Sequence, residues 1–510
     1  MKYLRLHFLL LLISAGFIFS SVNAQNDRDY NELKEYLQKA NEQFEMPGMA
    51  VGIIKDGQVV FNEAFGKRNT KTGEKTNTET IFGIASCTKA FTAACMAILV
   101  DEGKLDWTDK VIDHYPDFKL HDPYITREME VQDLLCHRSG LQTFDGDLLW
   151  YGTDYTRKEV VERIQFRENA YSFRSRFGYQ NVMYIAAGQL IEKVSGKSWD
   201  EFMKEKIFIP LGMNATTTSN GGFNESMNLA YPHIDGEPME FINYDNCGPA
   251  ASINTSSDDL LKWVELFLNK GTLNGQTIFS EKQYYKLTSL LTPLNPGPGE
   301  TIGETHFFGY GLGWFVLDYE GRKVIQHGGG LPGFHSKVAL IPEEKVGFII
   351  LANQLSGLVE ATYKRIIDIY TKNEQKDWAQ LYYENEQNQE SRNLKKKEEK
   401  EIARVKGTTP SLSIEKYIGM YEDKMYGKAE ISLKENRLHI ELLPSNTLFT
   451  AEMEHWHYDT FKFQFNDPFL PEGYATFVLN GQGNPDYFTI DLENPDFHFF
   501  KLKFEKINEN

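Results

Sequence analysis

Residues 84–91 read IASCTKAF and place a serine and a lysine, Ser86 and Lys89, three positions apart. The apolar runs on both sides predict a buried helix over 86–102, in which these two positions share one face. A buried lysine needs a reason, because lysine is rarely buried without a partner. Two interpretations are open: Lys89 activates Ser86 as a nucleophile, or Ser86 caps the helix and Lys89 is a solvated side chain.

The same spacing of serine and lysine recurs at Ser413 and Lys416, so the spacing alone does not identify a catalytic dyad. At Ser413 we favour the capping interpretation. At Ser86 the apolar surroundings favour a dyad. Burial and the positive end of a helix both lower the pKa of a lysine, which a neutral base requires. If Ser86 and Lys89 form a dyad, other parts of the chain must supply the residues that assist proton transfer and bind the substrate.

A second motif lies in the stretch FRSRFGYQNVMYIAAG, residues 173–188, where Tyr179 and Asn181 precede a predicted helix. A tyrosine hydroxyl can move a proton, and an asparagine amide can orient both a lysine and a substrate carbonyl. The spacing Tyr-x-Asn also occurs at Tyr244 and at Tyr383. The copy at Tyr383 lies in a polar segment and is incidental, whereas composition does not dismiss Tyr244.

A third motif lies in the stretch VIQHGGGLPGFHSKVALIP, residues 324–342. His327 ends a predicted strand, and three glycines follow it. Glycine lets a backbone approach a ligand closely, so an N–H group here can form an oxyanion hole together with the N–H of Ser86. A glycine-rich turn before a strand is the simpler alternative.

Strand patterns bracket a mostly helical middle in the region 25–373. Near its start, residues 49–66 read as a hairpin with Asp56-Gly57 at the turn. Strand character returns over residues 314–352. We therefore predict an α+β domain: an antiparallel sheet, assembled from N- and C-terminal pieces and flanked by helices, with a mostly helical insert.

Three other segments complete the predicted organisation. Residues 1–24 have the charged start, the apolar segment and the small residues of a cleavable secretion signal, which predicts a periplasmic or secreted protein. Residues 374–410 are polar and charge-mixed and predict a charged helical linker. Residues 411–510 show short alternating strands separated by turns, which predicts a small all-β, barrel-like module.

Composition narrows the range of partners. The formal net charge of −18 argues against nucleic acid, and no stretch after residue 24 is apolar enough to span a membrane. The four cysteines are predicted to be small buried residues rather than disulfides. His455 and His457 share a strand face but have no further ligand cluster, so we predict no metal and no organic cofactor. The expected partner is a small-molecule or peptide substrate, and an oligomer stays open.

Together and in this order, the three motifs resemble the serine β-lactamase and penicillin-binding protein superfamily. The resemblance is greatest to its class C β-lactamase-like serine hydrolases, the branch of esterases and D-aminopeptidases. It covers about residues 40–373 and includes PGMAVGIIKDG, LLCHRSGL and GYGLGWFV. Residues 411–510 resemble the lipocalin-like β module that is often appended to these proteins.

The resemblance implies an enzyme that acts through an acyl-enzyme on ester or amide substrates, with peptides and lactams included. It implies that Ser86 is the acylated nucleophile, that Lys89 is its base and that Tyr179 shuttles a proton in both half-reactions. It also implies substrate-binding or oxyanion roles for Asn181, His327, Gly329 and Gly330.

The chain departs from the family at the third motif, where His327 and two glycines replace the common Lys-Thr-Gly. The missing charge and hydroxyl weaken the expected hold on a substrate carboxylate, which shifts the expectation from potent β-lactamase activity to ester or amide hydrolysis. Arg174 and Arg176 either replace the lost charge or are solvated. Three aromatic residues either line an apolar substrate pocket or pack in the core: Trp150, Tyr151 and Tyr155.

Three other functions stay open at this point, and one of them is a cell-wall structural protein that is tethered through the charged linker. An acyltransferase would pass the acyl group to a hydroxyl or amine acceptor instead of water. A non-catalytic binding module could use the same fold, although the joint presence of Ser86, Lys89 and Tyr179 argues against it.

Overall fold

The computed structural model describes residues 30–296, 305–371, 376–445 and 447–507. The predicted secretion signal, residues 1–24, lies outside the described residues. Within the described residues, the chain forms an eight-stranded antiparallel sheet covered by helices and a separate closed barrel of eight strands. The predicted α+β fold with a barrel-like C-terminal module is confirmed.

The large sheet joins strands from both ends of the sheet region. In chain order its strands are β1 (Gly48–Lys55), β2 (Gln58–Gly66), β3 (Thr292–Leu294), β4 (Phe308–Tyr310), β5 (Phe315–Tyr319), β6 (Arg322–Leu331), β7 (Phe334–Ile341) and β8 (Val346–Ala352). The spatial order is β2-β1-β8-β7-β6-β5-β4-β3, with antiparallel neighbours throughout. Strand β1 therefore pairs with the last strand, β8, because the helical insert lies between β2 and β3 in the chain.

Helices cover both faces of this sheet. The longer ones are α1 (residues 30–43), α2 (Thr88–Asp101), α3 (Asn181–Ser195), α4 (Ser257–Leu268), α5 (Leu358–Thr371) and α6 (Trp378–Ala403). Shorter α-helices in the insert are Val111–His114, Pro123–Glu128, Arg157–Arg163, Trp199–Met203, Ile209–Leu211, Gly248–Ala251 and Glu281–Leu287.

Alternation along β8 explains why both faces of the sheet are covered. Phe348 and Ile350 pack in one apolar cluster with α1 and α5, whereas Ile349 and Leu351 pack in another with α2 and α4. Full burial of a side chain of this size contributes roughly 1.5–3 kcal/mol. Every residue of β8 is buried, which is why the strand reads as a continuous apolar run.

The C-terminal barrel closes because its first strand, β9, pairs with its last, β16. Closure removes the exposed strand edges of an open sheet. Aromatic side chains fill the interior, with Phe461, Phe477 and Phe488 all buried. The barrel strands are β9 (Gly419–Asp423), β10 (Gly427–Lys434), β11 (Arg437–Leu442), β12 (Thr450–His457), β13 (Thr460–Phe463), β14 (Gly473–Leu479), β15 (Pro485–Asp491) and β16 (Lys503–Lys506).

Helix α6 lies within the segment predicted as a linker and contacts the sheet region as well as the barrel. At its start the indole Nε1 of Trp378 donates to Asp368 Oδ2 of α5 at 2.7 Å. Near its end Lys400 pairs with Asp491 of the barrel at 2.8 Å. None of the described helices combines the length and the apolarity needed to cross a bilayer.

Candidate active site

Ser86 lies in a tight turn at the base of α2. Ala85–Cys87 form a 3-10 turn that runs directly into α2, so Ser86 precedes the α-helix instead of starting it. Among the described residues here, no side chain caps the turn or the helix, and Ser86 does not act as the cap that one interpretation predicted. Ala85 has a φ of 46°. Strained backbone of this kind costs of order 1–3 kcal/mol and clusters at functional sites.

Lys89 is fully buried, and its Nζ has three polar neighbours. Nζ lies 2.6 Å from Asn181 Oδ1, 3.0 Å from the carbonyl oxygen of Ala250 and 3.0 Å from Ser86 Oγ. A neutral amine has two N–H groups, and two of these neighbours can only accept. The lone pair of neutral Lys89 therefore faces the Ser86 hydroxyl. Burial lowers the pKa of Lys89 to about 8, although the charge of Asp147 opposes this shift.

Asp147 sets the orientation of the Asn181 amide. Its carboxylate is buried, with Oδ2 accepting from Asn181 Nδ2 at 2.7 Å and Oδ1 accepting from Trp150 Nε1 at 3.0 Å. Because Nδ2 faces this carboxylate, the amide oxygen of Asn181 faces Lys89. Burial raises the pKa of Asp147 to about 8, and its two N–H donors and the charge of Lys89 oppose the rise. No motif in the sequence pointed to Asp147; a lone acid before the apolar run LLWY was the available signal.

Tyr179 lies beside both Ser86 and Lys89. Its phenol hydrogen-bonds to Ser86, and its ring centroid is 4.7 Å from Lys89 Nζ. Burial raises the pKa of Tyr179 well above its ordinary value, and the bond to Ser86 opposes part of this rise. The group is therefore a neutral phenol, which can both donate and accept a proton.

The glycines of β6 bring this strand against the Ser86 turn. A Cβ atom on Gly329 would lie 2.3 Å from the carbonyl oxygen of Ile84 and 2.9 Å from the Ser86 nitrogen, so only glycine fits. Gly330 is exposed, and it lines the same cleft as Ser86. Ser86 and Gly330, whose backbone N–H groups were predicted to form an oxyanion hole, thus line one cleft.

His327 is buried next to the cleft in a neutral form. Its Nδ1 lies 2.6 Å from the carbonyl oxygen of Gly328, which only accepts, so Nδ1 carries the proton. Nε2 then accepts from the Tyr310 hydroxyl at 2.9 Å. Burial and the charge of Lys89 lower the pKa of His327 to about 3. This residue therefore does not supply the positive charge that a lysine has at this position in relatives.

A cleft of about 510 Å³ opens at Ser86, and eight aromatic residues are among those that line it. The sequence-predicted residues Ser86, Tyr179, Asn181, His327 and Gly330 line it. The barrel contributes three further lining residues, which the sequence did not indicate because they lie more than 280 positions from Tyr179 in the chain: Phe469, Asp496 and Phe497.

Trp150, Tyr151 and Tyr155, which were predicted either to line a substrate pocket or to pack in the core, occupy different positions. Trp150 lines the cleft. Tyr151 is buried against the barrel, where its ring stacks on Phe497 with centroids 4.0 Å apart. Tyr155 also contacts the barrel, through a hydrogen bond from its hydroxyl to the carbonyl oxygen of Tyr426 at 2.7 Å.

Other residues singled out from the sequence lie away from the cleft. Arg174 donates to the buried carboxylate of Asp133, at 3.1 Å, and Arg176 is exposed. In the described ranges no group of three or more metal-ligating side chains forms. All the cysteines are buried and free, which confirms their predicted role: Cys87, Cys95, Cys136 and Cys247.

Comparison with known proteins places most of the chain in one family. Residues 33–370 match the family model described as Beta-lactamase, and residues 403–506 match a domain of unknown function (DUF3471). The unguisins hydrolase ungD' of Aspergillus campestris is 26% identical over 81% of this chain and 78% of its own length. Protein flp of Staphylococcus aureus is 27% identical over 62% of this chain. That match covers 61% of flp, which is less than two thirds of its length.

Two solved structures share the fold. The octameric penicillin-binding protein homologue from Pyrococcus abyssi has a TM-score of 0.57 and 24% identity, and the match covers 93% of this chain and 99% of that one. The D-amino acid amidase from Ochrobactrum anthropi SV3 has a TM-score of 0.56 and 21% identity, covering 67% and 99% of the two chains. With the family model matching most of its length, this chain belongs to the beta-lactamase family and is a serine hydrolase of that superfamily.

Proposed function

We propose that this protein is an exported serine hydrolase that forms an acyl-enzyme at Ser86 with ester or amide substrates, peptides and lactams included. The observation that carries the proposal is the arrangement of acceptors around Lys89. Asn181 Oδ1 and the Ala250 carbonyl oxygen take the two N–H groups of the neutral amine, and the lone pair faces Ser86 Oγ at 3.0 Å. A base held in this way can remove the proton of a serine nucleophile.

In the acylation step, Ser86 Oγ attacks the substrate carbonyl carbon while its proton moves to Lys89 Nζ. The carbonyl π electrons move to the oxygen, and in this proposal the N–H groups of Ser86 and Gly330 stabilise that charge. When the carbonyl reforms, the bond to the leaving group breaks. The Tyr179 hydroxyl donates its proton to the leaving group and recovers one from Lys89.

In the deacylation step, water attacks the acyl carbon, and Tyr179 together with Lys89 accepts the proton of that water. The ester bond to Ser86 breaks, and Lys89 gives the accepted proton to Oγ, which restores the neutral amine and the Ser86 hydroxyl. A hydroxyl or amine acceptor in place of water would make the enzyme an acyltransferase. The names of the relatives, a hydrolase and an amidase, favour water as the acceptor.

Charges in the cleft favour neutral or cationic acyl groups over carboxylates. Lys337 lines the cleft, but its Nζ is already paired with Glu360 at 2.8 Å. The Asp496 carboxylate also lines the cleft, and within the described parts of the chain no hydrogen bond or ion pair reaches its oxygens. An anionic substrate would meet this carboxylate, and the lysine among the described lining residues is already paired, which costs affinity.

The reaction is tested with p-nitrophenyl esters of several chain lengths, D-amino-acid amides and nitrocefin, and by labelling with a fluorophosphonate. We expect turnover and labelling in the wild type and in Ser413→Ala, and neither in Ser86→Ala. Added alcohols and amines would reveal acyl transfer as a new product. A wild-type protein that neither turns over a substrate nor takes up the label would instead be a binding module on this fold.

The charge preference is tested with matched esters that carry a neutral, a cationic or an anionic acyl group. We expect the anionic ester to react slowest, and Asp496→Asn to raise kcat/KM for the anionic ester while lowering it for the cationic ester. Asp491→Asn, an exposed barrel carboxylate outside the cleft, is the matched control. Equal changes for all three esters in Asp496→Asn would refute the role of this charge.

Export and assembly complete the proposal. Export rests on residues 1–24, and the amino terminus of protein recovered from the periplasm or medium, read by mass spectrometry, tests it. A start at Gln25 is expected, and a protein that begins at Met1 would refute it. Light scattering of the purified protein measures the number of copies, for which the octameric neighbour from Pyrococcus abyssi provides a reference.

A further inference from the structure

One segment of the insert, residues 142–151, forms hydrogen bonds to the residues that surround Ser86. The N–H of Tyr179 donates to Thr143 Oγ1 at 3.1 Å, and the carbonyl of Tyr179 accepts from the N–H of Phe144 at 2.8 Å. Asp147, in the same segment, holds the amide of Asn181 and so orients Lys89. The proposed proton shuttle and the proposed base therefore depend on the position of one short stretch of chain.

The barrel forms hydrogen bonds to this segment near the segment's start. Lys501 Nζ donates to Asp145 Oδ1 at 2.5 Å and to Gln142 Oε1 at 2.8 Å. The Asp145 side chain is 1% exposed, and it also pairs with Arg167 at 3.0 Å. An ion pair with one fully buried partner is costly to break, because a charge is then left in a medium of low dielectric constant.

The barrel also contacts the segment at the segment's end. The Tyr151 hydroxyl donates to Asp467 Oδ2 at 2.7 Å, in a contact that is buried on both sides. Phe497 stacks on the Tyr151 ring and meets the Trp150 ring edge-on, with centroids 6.0 Å apart. Trp150 is in turn one of the two donors to Asp147. Asp147 thus lies between two points at which the barrel holds the chain.

We propose that the barrel is a positioning element for the catalytic base, and that Lys501 and Asp467 act on Lys89 through Asp147. The proposal rests on the proposed function of Ser86 and Lys89. Lys501, Asp467 and Tyr151 do not line the cleft, so they influence the reaction only through the segment that they hold. The barrel then has a role in chemistry beyond the walls that Phe469 and Phe497 contribute.

The first test compares Lys501→Met, Asp467→Asn and Tyr151→Phe with Lys503→Met. Lys503 is a matched control, because it lies on the same barrel but pairs with Glu505 on an exposed surface. We expect each of the three variants to lower the fluorophosphonate labelling rate of Ser86 and kcat for a small acetate ester by about 3- to 30-fold. KM for that ester should change by less than about twofold, because no cleft residue is altered.

The second test asks whether Lys501 acts through Asp147. In Asp147→Asn, an NH₂ group that donates replaces one of the two carboxylate oxygens that accept hydrogen bonds. The carboxylate charge that raises the pKa of Lys89 is also lost. We expect a lower maximal rate, with the acidic limb of kcat/KM displaced to lower pH; a purely structural defect would leave that limb in place. The other titratable groups near Lys89 are unchanged in this variant: Cys87, Cys247, His137, Tyr179 and His327.

The double variant Lys501→Met with Asp147→Asn completes the cycle. If Lys501 acts through Asp147, the combined loss of rate is smaller than the product of the two single losses. Losses that multiply fully, or single variants that react as fast as Lys503→Met, would overturn the proposal. Tyr151→Phe removes one hydroxyl only and keeps the test informative if Lys501→Met does not fold. An unreactive wild type would instead overturn the proposed function itself.

Discussion

Two segments of this chain contain the same spacing of serine and lysine, but the lysine is buried in one segment and exposed in the other. Lys89 is fully buried among acceptors, and Ser86 lines the cleft. Ser413 and Lys416 are both exposed, in the turn Ile414–Tyr417 that precedes the barrel. Ser413 occupies the N-cap position of that turn.

The difference indicates that burial, more than spacing, lowers the pKa of a lysine toward the range of a general base. A solvated ammonium keeps its proton at neutral pH because water stabilises the charge. Burial removes that stabilisation at Lys89 and lowers its pKa to about 8, and the fixed acceptors direct the remaining lone pair. Substitutions in the two segments test this contrast, and the largest expected effect comes first.

The largest effect is expected from removal of the two serine hydroxyls. Ser86→Ala should lower kcat by about 10⁵-fold or more, because the residue proposed to form the covalent intermediate is lost. Ser413→Ala should leave kcat unchanged. Burst kinetics and mass spectrometry of the acylated protein check both variants, and substantial residual acylation in Ser86→Ala would show that another residue is the nucleophile.

Removal of the two lysines should give the next largest effect. Lys89→Met should lower kcat by about 10³- to 10⁴-fold, since proton transfer from Ser86 loses its acceptor. Lys416→Met is the matched control and should react at the wild-type rate; a slow Lys416→Met would mean that the two segments are not functionally distinct.

The pH dependence should report Lys89 together with Asp147, because burial brings both pKa values to about 8. Below a pH of about 8, kcat/KM should fall by about tenfold for each unit, since only neutral Lys89 accepts the proton. The fall should reach about 100-fold near pH 6. His327→Gln should leave this limb in place, because the pKa of His327 is already lowered to about 3. A limb that moves with His327→Gln would assign the titration to the histidine instead.

The smallest effect should come from the exposed copy. Ser413→Ala and Lys416→Ala together should change the free energy of unfolding by less than about 0.5 kcal/mol, as for most exposed substitutions. The Ser413 side chain makes no capping hydrogen bond to the backbone of its turn. Urea denaturation of the double variant measures the change, and a loss above about 1 kcal/mol would reveal a structural role for this turn.

Several features of the site could be predicted because they are local. Ser86 and Lys89 are one helical turn apart, and the apolar residues around them indicate burial of that turn. The hairpin at Asp56-Gly57 and the alternating strands of residues 411–510 are equally local signals, and the structure contains both. The three motifs in order also indicated the family.

Tertiary structure alone decided the rest. Asp147 holds Asn181 across 34 positions, Tyr151 binds Asp467 across 316, and Lys501 binds Asp145 across 356. No spacing rule relates residues so far apart, because their contact depends on how the insert and the barrel pack. Sequence patterns indicated which groups could exchange a proton, whereas packing decided that Lys89 is fully buried and that the Asp147 carboxylate orients the asparagine beside it.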